Sequence, residues 1–177
     1  MQCQVTLALP VAYRHDIATI RHQPTTMRYF TSTPPHTPAL LLAGCLSLAA
    51  SVGHLACIAG GPRWYLAMGA GERMARAAEQ GLWQPTLVTL AIAAILAVWG
   101  LYAWSGAGMI ARLPLLRWVL AAVTAVYLAR GLLFVPMQAH FPGNSPAFWY
   151  WSSGICAVIG LVHLAGLWRA WPRLAAR

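Results

Sequence analysis

The sequence has no lysine and only three acidic residues, Asp16, Glu72 and Glu79, against twelve arginines, for a formal net charge of +9. Charged residues fill 8% of the 177 positions, whereas a soluble globular domain carries roughly 25% because water faces its whole surface. An ordinary soluble domain is therefore excluded. Disordered proteins combine high charge with low hydrophobicity, and 59% of this chain is hydrophobic, so that class is excluded as well. The shortage of carboxylates removes paired-carboxylate hydrolysis and two-metal chemistry. Cys3, Cys45, Cys57 and Cys156 form no C-x-x-C pair, so zinc-ribbon and thioredoxin spacings are missing too. Cys45 and Cys57 on one helix would lie roughly 18 Å apart, too far to bridge. No metal set, cofactor motif or catalytic set is legible. The class that remains is an integral membrane protein.

What the sequence does contain is four apolar segments, 39–60, 83–104, 115–135 and 148–168. Each is about 20 residues, the length that crosses a hydrocarbon core of roughly 30 Å. Backbone groups in lipid must be satisfied within the segment, so these spans are predicted as helices. The expected fold is all-α: a four-helix up-down bundle over 39–171, with a short interfacial helix in the first outer loop. Gly60, Gly61 and Pro62 stop the first span, Pro114 precedes the third, and Pro136, Pro142, Gly143 and Pro146 separate the third from the fourth. Tryptophans and tyrosines such as Trp83, Trp104, Trp118, Trp149, Trp168 and Trp171 collect at span ends, as an interfacial aromatic belt does. Residues 1–38, rich in Pro, Arg and His, read as a polar cytoplasmic tail, and 172–177 as a second. Met27 would also serve as a start, making 1–26 an overextended beginning. Leu42-Ala43-Gly44-Cys45 matches a lipoprotein box, but Pro38 leaves too short an apolar core before it for a signal peptide.

With alternating spans, eight arginines (14, 21, 28, 112, 117, 169, 173 and 177) share one side and Arg63, Arg73 and Arg76 the other. The positive-inside rule then places both termini in the cytoplasm of a bacterial inner membrane. Scattered over two faces, these arginines form no basic patch, which excludes nucleic acid as a partner.

Arg130 stands apart, inside the third span. One reading has it snorkelling to the outer headgroups. The other places it in an outer pocket with His54, Tyr127 and Glu72, the last carried by the first loop. An ionisable group within a span is by default a functional hypothesis. The stretch 71–80 has helix formers between glycines, with Glu72–Arg76 and Arg76–Glu79 spaced to pair, and is expected to form an interfacial cap helix. Loop three adds Gln138, His140 and Asn144 on the same face. His163 is expected on the opposite side of the midplane from His54, which rules out one shared metal or haem. Small residues at four-residue steps, Ala43-Ser47-Ser51, Ala49-Gly53-Cys57 and Ser152-Cys156-Gly160, read as helix contact faces.

Gly53-His54, Gly60-Gly61-Pro62-Arg63-Trp64-Tyr65 and Gly69-Ala70-Gly71-Glu72-Arg73-Met74, with the four-span plan, resemble a group of small uncharacterised bacterial inner-membrane proteins. That resemblance covers about 39–171 and implies location and architecture, not an activity. A looser likeness is to the emopamil-binding sterol isomerase type, which relies on acidic residues within its helices where this chain has none.

Two functions follow from the sequence. The first is a non-catalytic protein that binds lipid, a partner or a second copy of itself through its helix faces. The second is an enzyme or lipophile-binding protein built on the His54–Glu72–Tyr127–Arg130 pocket. Convergence of those side chains on a cavity discriminates between them.

Overall fold

A computed structural model describes residues 37–140, 144 and 146–175, all within one unit, Thr33–Arg177. The expected N-terminal tail and the alternative start at Met27 lie outside the described residues. The elements are α1 (Pro38–Gly60), α2 (Pro62–Ala67), α3 (Glu72–Glu79), α4 (Trp83–Ala107), α5 (Leu116–Leu132), α6 (Phe134–His140) and α7 (Pro146–Ala175). No strand occurs among the described residues. Three helices, α1, α4 and α7, are long and apolar enough to cross a membrane.

Proline and glycine punctuate most of the chain where the sequence predicts. One exception is α7, which runs past the expected span end at 168 and through Pro172 to Ala175, into the segment expected as a tail. Pro38 and Pro62 sit in the first turns of α1 and α2, where a missing N–H costs nothing. The α4 helix ends on Gly108 at φ 83, and Met109 N–H reaches back to Trp104 O at 2.9 Å, a glycine-dependent closure of the last turn. The third apolar segment behaves differently. It was expected to continue to Val135, but α5 stops at Leu132 after 17 residues. Pro136 has no N–H for the carbonyl of Leu132, and its ring would clash with that oxygen. The chain therefore breaks at Leu133, and Pro136 falls in the first turn of α6, where it is tolerated. At 1.5 Å per residue α5 rises about 26 Å, a little short of the hydrocarbon thickness.

The helices pack in two close pairs, α1 with α4 and α5 with α7, joined across α1 and α7. A Cβ on Gly44 would lie 2.9 Å from Gly100 O, so α1 and α4 meet at bare backbone. On Gly131 it would lie 2.7 Å from Ala157 N, which fixes the α5–α7 approach in the same way. Of the predicted contact stripes, Ala43, Ser47 and Ser51 are buried, whereas Ala49 is exposed.

Three apolar layers follow along the helices. Leu40, Ala103, Leu116, Leu120, Leu167 and Leu174 close the end where α1 begins and α7 finishes. Leu96, Val123, Tyr127 and Ile159 form the middle layer. Cys57, Tyr65 and Ala75 fill the far end, beneath α2 and α3. Polar ties cross the middle: Ser51 Oγ donates to Ala93 O at 2.7 Å, and Tyr127 OH to Ser47 Oγ at 3.1 Å. A hydroxyl without a partner in such an interior would carry its full desolvation cost.

Candidate functional site

At the far end the helices part around a cavity of about 450 Å³. His54 and Cys57 reach it from α1, Val88, Thr89 and Ile92 from α4, and Arg130 from α5. Tyr65, Met68 and Met74 cover it from α2, the chain that follows and α3, while Phe148 and Trp149 wall it from α7. Asn144 ties the last wall to the cover, its Nδ2 donating to Gly69 O at 3.1 Å. A Cβ on Gly69 would collide with the Phe148 ring, and φ +75 disfavours any side chain there. The cover is thus latched to α7 by a hydrogen bond and a ring contact on one glycine.

Arg130 is the one permanently charged side chain lining this apolar enclosure among the described residues, and it can only donate. Arg130 is half-buried, with Nη1 donating to Ser153 Oγ at 3.1 Å and Nη2 to Ser152 Oγ at 3.2 Å. Its Cζ lies 5.0 Å from the Trp149 ring centroid, a cation–π contact. These partners are neutral, so the positive charge has no carboxylate among the described residues. Tyr65 is 2% exposed, and its hydroxyl has no hydrogen-bond partner among the described residues. His54 Nδ1–H donates to Ala50 O at 2.8 Å, which leaves Nε2 as the ring's other polar atom. A partly buried charge is costly, and an anionic or oxygen-rich ligand in the cavity would offset it.

The structure brings two of the four predicted pocket residues, His54 and Arg130, to one cavity and leaves Tyr127 and Glu72 off it. Tyr127 lies in the middle layer, against Trp99 at 5.2 Å and His163 at 5.3 Å between ring centroids. A three-residue step on a helix leaves a rotation of about 60°, enough to aim Tyr127 at α1 and Arg130 at α7. Glu72 is 70% exposed and pairs with Arg76 one turn along α3, while Arg76–Glu79 is not formed. His163 is fully buried on Tyr127, away from the cavity; its Nδ1–H donates to Ile159 O at 3.0 Å, and Nε2 has no partner.

Of the loop-three residues, Asn144 reaches the cavity, and the side chain of His140 is outside the described set. Sequence reasoning missed Tyr65, Trp149, Ser153 and the role of Ser152. The one available signal was Ser152-Ser153, adjacent hydroxyls in an apolar run. Among the described residues no three His, Cys, Asp or Glu side chains gather into a metal-holding group. Compared with known proteins, the chain matches no family model, no curated protein and no solved structure.

Proposed function

We propose that the chain is a multi-pass protein of a bacterial inner membrane, whose cavity binds a lipophilic molecule carrying an anionic or carbonyl-rich head. In this reading α1, α4, α5 and α7 form a four-helix up-down bundle capped by α2 and α3. Seventeen residues put α5 at the lower limit of spanning length, and the eight-to-three arginine bias supports cytoplasmic termini. The observation that carries the function is the enclosure itself: methionine, valine, isoleucine and aromatic walls around the half-buried Arg130 side chain. Sites for small organic ligands have that make-up, and 450 Å³ suits one of modest size. No carboxylate lines the cavity among the described residues, and the reading rests on its shape and apolar walls, which are those of a binding site.

The test is purification in a mild detergent, followed by native mass spectrometry and analysis of extracted lipids. A co-purifying amphiphile is expected, held about tenfold more weakly by Arg130→Gln, since a charge-assisted hydrogen bond is worth more than 1 kcal/mol. Wild-type protein that is well folded and consistently empty sinks the reading. Lipid binding through helix faces is a second reading, favoured by an apolar groove between α1 and α7 lined by Ala49, Ala50, Gly154 and Val158. In a bilayer an acyl chain fits that groove.

A further inference from the structure

The opposite end of the molecule holds an arginine that the cavity does not explain. Arg117 lies in the first turn of α5, with Cζ 4.8 Å from the Trp118 ring centroid and 4.4 Å from that of Trp171 on α7. The two indoles meet edge to face at 6.4 Å and hold the guanidinium between them. Unlike Arg130, Arg117 has no hydrogen bond or ion pair among the described residues, and its Nε is buried without a partner. Ring faces answer the charge but accept none of the five N–H donors.

A groove of about 610 Å³ runs past Arg117 between Leu113, Pro114, Leu115 and Leu174. Arg112 lines it as well, anchored by donation to Leu174 O. Trp118 and Val119 N–H both bond to Leu115 O, so the amides of Leu116 and Arg117 are the unmatched donors of a helix start. The only acids among the described residues, Glu72 and Glu79, sit on α3 beneath the other end. Charge complementarity therefore selects an anion, and Leu113, Pro114, Leu115 and Leu174 beside the two arginines favour one that also carries a hydrocarbon body.

We propose that this groove binds the phosphodiester headgroup of an anionic phospholipid. Arg117 is the phosphate ligand, and Trp118 and Trp171 hold its guanidinium at headgroup depth. Basic pockets between helices at a membrane face recognise lipids in this way. The inference rests on the membrane placement proposed above and is independent of the cavity.

The test is a native mass spectrometry titration of delipidated full-length protein with phosphatidylglycerol and phosphatidylcholine of matched chains. Wild type is expected to favour phosphatidylglycerol about tenfold, the scale of one charge-assisted hydrogen bond. Arg117→Gln loses that preference, Arg117→Lys keeps part of it because it retains charge without the planar stack, and Glu72→Gln keeps all of it. Equal binding of the two lipids by wild type overturns the proposal, whatever the folding of the variants. So does a preference that survives in Arg117→Gln. Loss of phosphatidylglycerol to excess inorganic phosphate would mark a soluble-anion site and overturns the lipid assignment. Recovery of the chain in the soluble fraction would overturn both proposals, whereas a membrane-bound chain without lipid preference overturns this one alone.

Discussion

Arg130 and Arg117 sit on the same helix, thirteen residues and about 20 Å apart, and each lies over a tryptophan. Their surroundings differ in one respect. Arg130 is supplied with acceptors by its own chain, Ser152 and Ser153, whereas Arg117 has only ring faces. Beneath a cover of two helices Arg130 finds its acceptors within the protein, whereas the Tyr65 hydroxyl under the same cover finds none among the described residues. At an open end beside exposed tryptophans, acceptors can come from outside. The enclosed arginine is tied by hydrogen bonds to α7, and the open one is held there by a ring face alone among the described residues.

Three variants probe that contrast, in decreasing order of effect. Gly69→Leu should destabilise the covered end by about 3 kcal/mol, combining a disfavoured positive φ with a forced displacement of Phe148. Thermal unfolding of the purified protein should show the loss, and phosphatidylglycerol preference at the other end should survive. Were both ends to fail together, they would not be separate sites. Replacing Ser152 and Ser153 together by Ala should cost about 2 kcal/mol by leaving the Arg130 N–H groups unpaired. An unchanged unfolding midpoint would mean that Arg130 is already satisfied by solvent, making it equivalent to Arg117. Glu72→Gln removes an exposed ion pair and should cost no more than about 0.5 kcal/mol. A loss of cavity ligand in that variant would place Glu72 in the site after all.

Helix starts and stops were legible because proline and glycine act locally. Gly60, Gly61 and Pro62 separate α1 from α2, and α4 begins at Trp83 where the second apolar segment was predicted to begin. The early stop of α5 was also readable in principle, since Pro136 reaches back to the Leu132 carbonyl. Counting apolar residues overlooked it. The Glu72–Arg76 pair followed from i,i+4 spacing. The candidate site was half legible. An arginine and a histidine in apolar runs announce themselves by cost, but their neighbours are decided by packing between distant segments. Tyr65, Trp149 and Ser153 look like an interfacial aromatic, a belt tryptophan and a small packing residue until α2 and α7 are folded over α5. Spacing put Tyr127 beside Arg130, and a rotation of about 60° sent it into the core.

One consequence of α7 remains. It runs unbroken for 30 residues, about 45 Å, past both arginines: Ser152 and Ser153 receive Arg130 near its start, and Trp171 receives Arg117 near its end. A rod longer than the hydrocarbon core accommodates a thinner bilayer by tilting. Because both arginines lie on α5 and both sets of their partners on α7, one tilt of α7 against α5 would shift the two sites at once. On the membrane placement proposed above, bilayer thickness becomes a mechanical input shared by the covered cavity and the open groove.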